Sequence, residues 1–106
     1  MKKAILIFTS YIPAKTMAAL RNDDTDVFYL LPNNLAEIID DIKLNTTLED
    51  KEIKEKLKPV FEWIKKTIKR DKKNSIIVME QFPPKLNYYL YDFIKRNNYL
   101  LGEDIS

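Results

Sequence analysis

The 106-residue chain contains no cysteine, no histidine and a single glycine, Gly102. Each absence excludes a class of chemistry. Without cysteine there is no disulfide framework and no thiol nucleophile. Without cysteine or histidine the common structural zinc sites are excluded, and the most frequent general base is missing. One glycine near the C-terminus cannot build the glycine-rich phosphate loops of P-loop nucleotide hydrolases or the dinucleotide fingerprint. Long hydrophobic runs are also absent, and none approaches the ~20 residues that span a bilayer. Met1-Lys2-Lys3 mimics the start of a signal peptide, but the apolar run after it is short and meets Thr9 and Ser10 at once. A cytoplasmic protein is therefore expected, with no membrane partner, no metal and no cofactor. Its chemistry falls to hydroxyls, amides, carboxylates, lysines, arginines and the backbone.

What is present is ordinary for a globular chain: 45% hydrophobic and 32% charged residues, with a net charge of +2. That charge is too small to imply a coat of nucleic acid, and no duplex partner is expected. Ala4 to Phe8, Val27 to Leu31 and Ser75 to Met79 are continuously apolar, as strands covered on both faces are, and Tyr99 to Leu101 makes a short fourth. Between them the apolar spacing is helical. Pro13 to Leu20 directs Met17 and Leu20 inward. A second helix, with its N-cap in Pro32-Asn33-Asn34, carries Leu35, Ile38, Ile39 and Ile42 on one stripe.

Thr46 and Glu49 have the spacing of a capping box for a third helical region, whose face is Ile53, Leu57, Val60, Phe61, Ile64 and Ile68. Pro59 in that region predicts a kink, or two helices meeting near Lys58. Pro83 to Asn97 carries Leu86, Leu90, Phe93 and Ile94 inward, and Asn97-Asn98 suits a left-handed C-terminal cap. Strands alternating with helices in this way predict an α/β fold. The expectation is one domain over residues 1–106, a Rossmann-like three-layer sandwich with a four-stranded, mainly parallel sheet in the order 2-1-3-4.

In such sheets ligands bind beyond the carboxyl ends of the strands, where the strand order reverses. That crevice would be lined by Thr9, Ser10 and Tyr11 after the first strand and by Glu80, Gln81 and Phe82 after the third. The helix opening at Pro83-Pro84 would aim its N-terminus there, with Lys85 in its first turn. Two readings stand beside each other. Thr9 and Ser10 are either turn residues or the rim of a site, and Phe82 is either a core plug or a stacking platform. Tyr88, Tyr89 and Tyr91 flank the last helix or form a face between two copies. The run Lys65, Lys66, Lys69, Arg70, Lys72 and Lys73 is either a solvated helix end or a phosphate-attracting patch, and no aromatic residue interleaves it.

In element order the chain resembles the small stand-alone CRISPR-associated ring nucleases, accessory proteins of type III CRISPR systems. The stretches that carry the resemblance are Phe8-Thr9-Ser10, Leu31-Pro32, Leu57-Lys58-Pro59 with Trp63, and Glu80-Gln81-Phe82-Pro83. In that family the first strand ends in Phe-Ser-His and the third leads into Gly-Asp-Phe-Gly. Ser10 therefore stands at the histidine position, and Glu80 and Gln81 replace glycine and aspartate.

The resemblance implies a homodimer that binds cyclic oligoadenylate, cyclic tetra-adenylate above all. It implies metal-independent cleavage in which the ligand's own ribose 2′-hydroxyl attacks the adjacent phosphate. Ser10 and Gln81 would then act on the reacting groups, with Thr9, Tyr11, Glu80, Phe82 and Lys85 binding the ligand. Two other expectations remain open: a protein that sequesters the same ring without cutting it, and a regulatory module that binds another protein.

Overall fold

A computed structural model describes residues 1–102. Four strands and four helices alternate as β1 (Lys2–Ile7), α1 (Ala14–Asn22), β2 (Thr25–Leu30), α2 (Asn33–Leu44), α3 (Asp50–Ile68), β3 (Ser75–Met79), α4 (Pro84–Arg96) and β4 (Leu100–Leu101). The strands form one sheet in the order β2-β1-β3-β4, and all three pairings are parallel. This is the α/β sandwich that the alternation of patterns predicts.

The central strands β1 and β3 are apolar on both faces because both are covered. The edge strands depart from that expectation: Tyr29 and Leu30 of β2 and Leu100 and Leu101 of β4 are exposed. Successive side chains point to opposite faces, so Ile5, Ile7, Ile77 and Met79 pack into a large core with α2, α3 and α4. Ala4, Leu6 and Val78 pack on the other face with Leu20 and Met17 of α1. The layers are therefore unequal: one short helix lies on one side of the sheet, and three lie on the other. The face changes because the chain steps from β1 outward to β2 and then back across β1 to β3. With right-handed crossovers, opposite directions of travel place the connecting helices on opposite faces.

Three of the helices begin the same way. Pro13, Pro32 and Pro83 are the N-cap residues of α1, α2 and α4, with φ of −57°, −58° and −54° and extended ψ. The ring presets φ and the missing N–H costs nothing at a helix start. Each proline thus turns the chain from a strand end into a helix without a side-chain cap. For α2 the cap is Pro32 itself, and the amides of Asn33 and Asn34 do not serve as caps.

The start of α3 departs from expectation. Thr46 lies in the turn before it, and the capping box is formed by Glu49 with Glu52, whose Oε1 accepts the Glu49 N–H at 3.5 Å. Leu48 explains the shift: it is buried immediately before the cap, as is Ile53 five residues on, and both belong to the large core. That pair is the hydrophobic staple that sets the entry angle of a helix.

Pro59 also differs from expectation, since one helix runs from Asp50 to Ile68 straight through it. Pro59 is exposed and Leu57 and Val60 on either side are fully buried. The Glu55 carbonyl that loses its partner therefore faces water, and the apolar stripe holds the two halves together. At the end of α4, Asn98 has φ 57°, while the Tyr99 N–H reaches the Ile94 carbonyl and the Asn98 N–H the Lys95 carbonyl. This is the expected left-handed cap, in its Schellman form.

Gly102 follows β4 at a close approach: a Cβ there would lie 2.9 Å from Val78 Cγ2, while its N–H donates to the Ile77 carbonyl at 2.7 Å. No helix among the described residues is long and apolar enough to cross a membrane.

Two substitutions in α3 should move stability in opposite directions. Leu57→Ala removes a fully buried side chain and should cost about 2–5 kcal/mol. Pro59→Ala restores a helix donor and should add about 1–2 kcal/mol, less than the full interior cost of proline because the unfolded chain also gains freedom. Urea denaturation of the two variants measures both signs, and a destabilised Pro59→Ala would show that the proline is needed where it stands.

Candidate functional site

The parallel ladder between β1 and β3 continues past the strands themselves: the Glu80 N–H donates to the Ile7 carbonyl at 3.2 Å. Two residues beyond Ile7 the chain exposes the Thr9 N–H, which donates to Glu80 Oε1 at 2.7 Å. The Thr9 hydroxyl donates to the same oxygen at 3.0 Å. The crevice where the strand order reverses is therefore tied across by one carboxylate.

A third group reaches this carboxylate from an unexpected direction. Lys43 Nζ, in the last turn of α2, donates to Glu80 Oε2 at 3.2 Å and to Thr9 Oγ1 at 3.1 Å. A helix that simply retraced its strand would end at the opposite edge of the sheet. Instead α2 starts beyond β2 and ends against residues that follow β1 and β3, so it crosses the carboxyl edge of the sheet and α3 alone returns the chain. Its 12 residues give ~18 Å of length, ample for two strand spacings of ~4.8 Å. Lys43 also sits 3.7 Å from Asp40 one turn earlier and 5.6 Å from the centre of the Phe82 ring. A cation in the last turn of a helix suits the macrodipole.

The protonation state follows from these contacts. Burial by itself would raise the pKa of Glu80, but the Thr9 N–H, the Thr9 hydroxyl and Lys43 outweigh it and hold the carboxyl below its ordinary 4.5. Glu80 is thus an ionised acceptor, a better anchor than base. Phe82 is held by its own neighbour: its N–H donates to Asn87 Oδ1 at 3.1 Å.

Beside this cluster lies a cavity of about 280 Å³ between the end of α2, the start of α3 and the start of α4. Ile42, Leu48, Ile53, Pro83 and Leu86 give it apolar walls, and Lys43 and Lys85 stand on it. Lys85 is paired with Asp50 across the N-termini of α4 and α3, at 3.3 Å. Asp50 is held below its ordinary carboxylate value by the Tyr89 hydroxyl first and Lys85 second, while burial and then Asp50 push Tyr89 up.

The structure thus brings Thr9 and Glu80 into direct contact, as the topology predicts. Ser10, Tyr11 and Gln81 are exposed near them on the two connecting segments. Phe82 is 5% exposed and packs in the large core, as the plug of the two readings would. Lys85 is paired with Asp50 and makes no direct contact with Thr9 or Glu80, though it shares the cavity wall with Lys43. The expected face of three tyrosines is reduced to two, since Tyr89 is buried and bonded to Asp50 while Tyr88 and Tyr91 are exposed.

Lys43 is the residue that sequence reasoning misses. Its position in the last turn of an amphipathic helix looks like ordinary dipole compensation, and nothing in the spacing reveals where that helix ends in space. No group of three or more His, Cys, Asp or Glu placed to hold a metal ion occurs among the described residues. Comparisons with protein families, curated proteins and solved structures find no match to this chain.

Because the folded pKa of Glu80 lies below its unfolded value, its stabilisation is complete above pH 4.5 and is lost as the pH falls through the folded value. Carboxyl-detected NMR titration should find Glu80 below 4.5, and Lys43→Met should move it upward. In the urea stability profile, Glu80→Gln should flatten the decline on the acid side. A Glu80 that titrates at its ordinary value would remove this account of the cluster.

Proposed function

We propose that the crevice beyond β1 and β3 binds a phosphodiester ligand of the cyclic oligoadenylate class, and that the bound ring is cut by its own ribose hydroxyl without a metal. The observation that carries this reading is the convergence of a backbone N–H, a hydroxyl and an ammonium, from Thr9 and Lys43, at the point where the strand order reverses. Donors of these three kinds suit a phosphate oxygen, and this is the place where open α/β sheets bind ligands. The ligand class comes from the resemblance of Phe8-Thr9-Ser10 and Glu80-Gln81-Phe82-Pro83 to ring nucleases, together with the shared order of elements.

In the reaction the 2′-oxygen bonds to phosphorus as the bond from phosphorus to the 5′-oxygen breaks. The proton leaves the 2′-hydroxyl and ends on the 5′-oxygen, so the products carry a 2′,3′-cyclic phosphate and a 5′-hydroxyl. No water or metal enters this balance. The protein's part is to align the attacking oxygen and to neutralise charge on the phosphate. Ser10 and Gln81, both exposed at the rim, would orient the hydroxyl. Lys43 supplies the nearby cation, in place of Lys85, which Asp50 engages. A ring with two-fold symmetry calls for two copies of the chain around it, hence a homodimer. A cytoplasmic location accords with a nucleotide messenger as ligand.

The departures at Ser10, Glu80 and Gln81 favour a second reading, in which the ring is held and not cut. One assay decides between them. Cyclic tetra- and hexa-adenylate are incubated with the protein in EDTA, products are resolved, and binding is measured in parallel. Cleavage is expected, with Ser10→Ala slowing it about tenfold or more while binding changes little. Binding without products selects the sequestering protein. Failure to bind either ring removes both readings in favour of a protein-binding module.

A further inference from the structure

A phosphate oxygen in a protein site is commonly met by a backbone amide, a hydroxyl and a cation that converge on it. Here those three groups already converge, and the anion they hold is internal. The Thr9 N–H and hydroxyl bond one oxygen of Glu80 at 2.7 and 3.0 Å, and the Lys43 ammonium bonds the other at 3.2 Å. We propose that Thr9 and Lys43 form the phosphate subsite of the crevice, and that the Glu80 carboxylate is its resident occupant, which an incoming phosphate ester displaces.

This inference rests on reading the crevice as a phosphate site, and it adds that the free protein keeps the site closed with its own side chain. The local charge supports it. Lys43 faces two carboxylates, Asp40 at 3.7 Å and Glu80 at 3.2 Å, so with Glu80 in place the cluster carries one net negative charge and repels a phosphate. With Glu80 withdrawn, the remaining pair is neutral and the donors of Thr9 are free.

The Glu80 side chain touches solvent on one side, with 17% exposure, and belongs to the connection between β3 and α4, so withdrawal requires no strand or helix to move. The rest of the ester has somewhere to go. Lys43 also stands on the wall of the 280 Å³ apolar cavity, so a phosphate bound to it has that space alongside. Every ligand affinity of the crevice would then be reduced by the cost of breaking the bonds to Glu80.

The test uses pyrophosphate as the probe, titrated by calorimetry into the 106-residue protein at neutral pH. Glu80→Ala and Glu80→Gln should both bind it about tenfold or more tightly than the parent, since each removes the competing charge. Adding Lys43→Met to either should abolish the gain. Circular dichroism checks the fold, and the near-isosteric glutamine variant carries the test if the alanine variant does not fold. Glu80 variants that bind no better than the parent, or a gain that survives Lys43→Met, would overturn the proposal. Cyclic tetra-adenylate titrated in parallel separates the two ideas. A ring bound by the parent and no more tightly by the Glu80 variants leaves the ring reading and removes the role given to Glu80. A pyrophosphate gain without ring binding does the reverse.

Discussion

The parallel pairing of β1 with β3 is the constraint on which the rest of this molecule depends. β1 is paired on both sides over most of its length, Lys2 to Leu6 with β2 and Lys3 to Ile7 with β3. Its side chains Ala4 to Ile7 are at most 1% exposed. In register, Ile7 lies opposite Met79, and this alone brings the segment after β1 beside the segment after β3. The reversal of strand order, the opposite placement of α1 and the later helices, and the contact of Thr9 with Glu80 all follow from β1 occupying the centre.

The carboxyl edge of the sheet is built by a second device, the transverse course of α2. Most helices in such folds retrace their strand and leave the loops to supply functional groups. Here α2 traverses the edge, so a helical residue, Lys43, supplies the cation, and the turn between α2 and α3 forms a wall of the neighbouring cavity. The stapled start of α3, with Leu48 and Ile53 in the core, fixes where that turn ends. Thr9, Lys43 and Glu80 thus come from three separated stretches of chain held by rigid elements. Their hydrogen bonds satisfy a half-buried carboxylate that would otherwise be costly to shelter from water.

Much of the fold was legible because hydrophobic periodicity reports burial directly. The runs at Ala4 to Phe8 and Ser75 to Met79 read as strands covered on both faces, and the stripe from Ile53 to Ile68 as one helical face. The errors are instructive in the same terms. Thr46 has the side chain of a good cap, but the burial of Leu48 moved the helix start to Glu49. Pro59 carries a strong local penalty, but an exposed position and the packed residues around it outweighed that penalty. Tyr89 looked like its neighbours on α4, and only its partner Asp50, 39 positions earlier in the chain, distinguishes it.

By itself the sequence determined the element order, the class of fold, the two faces of the sheet and the exclusion of thiol, imidazole and glycine-loop chemistry. Those properties depend on composition and on spacing within one element. It also placed Thr9 and Glu80 at the same edge, since right-handed crossovers leave little choice once the strands are known. Only the tertiary structure decided that Glu80 is bound by Thr9, that Lys43 joins them, that Phe82 is core and that Lys85 is engaged elsewhere. These are contacts between residues 34 to 71 positions apart, or choices of direction for a side chain. A helical stripe specifies which face is buried, but it carries no information about the direction in which the helix crosses the sheet.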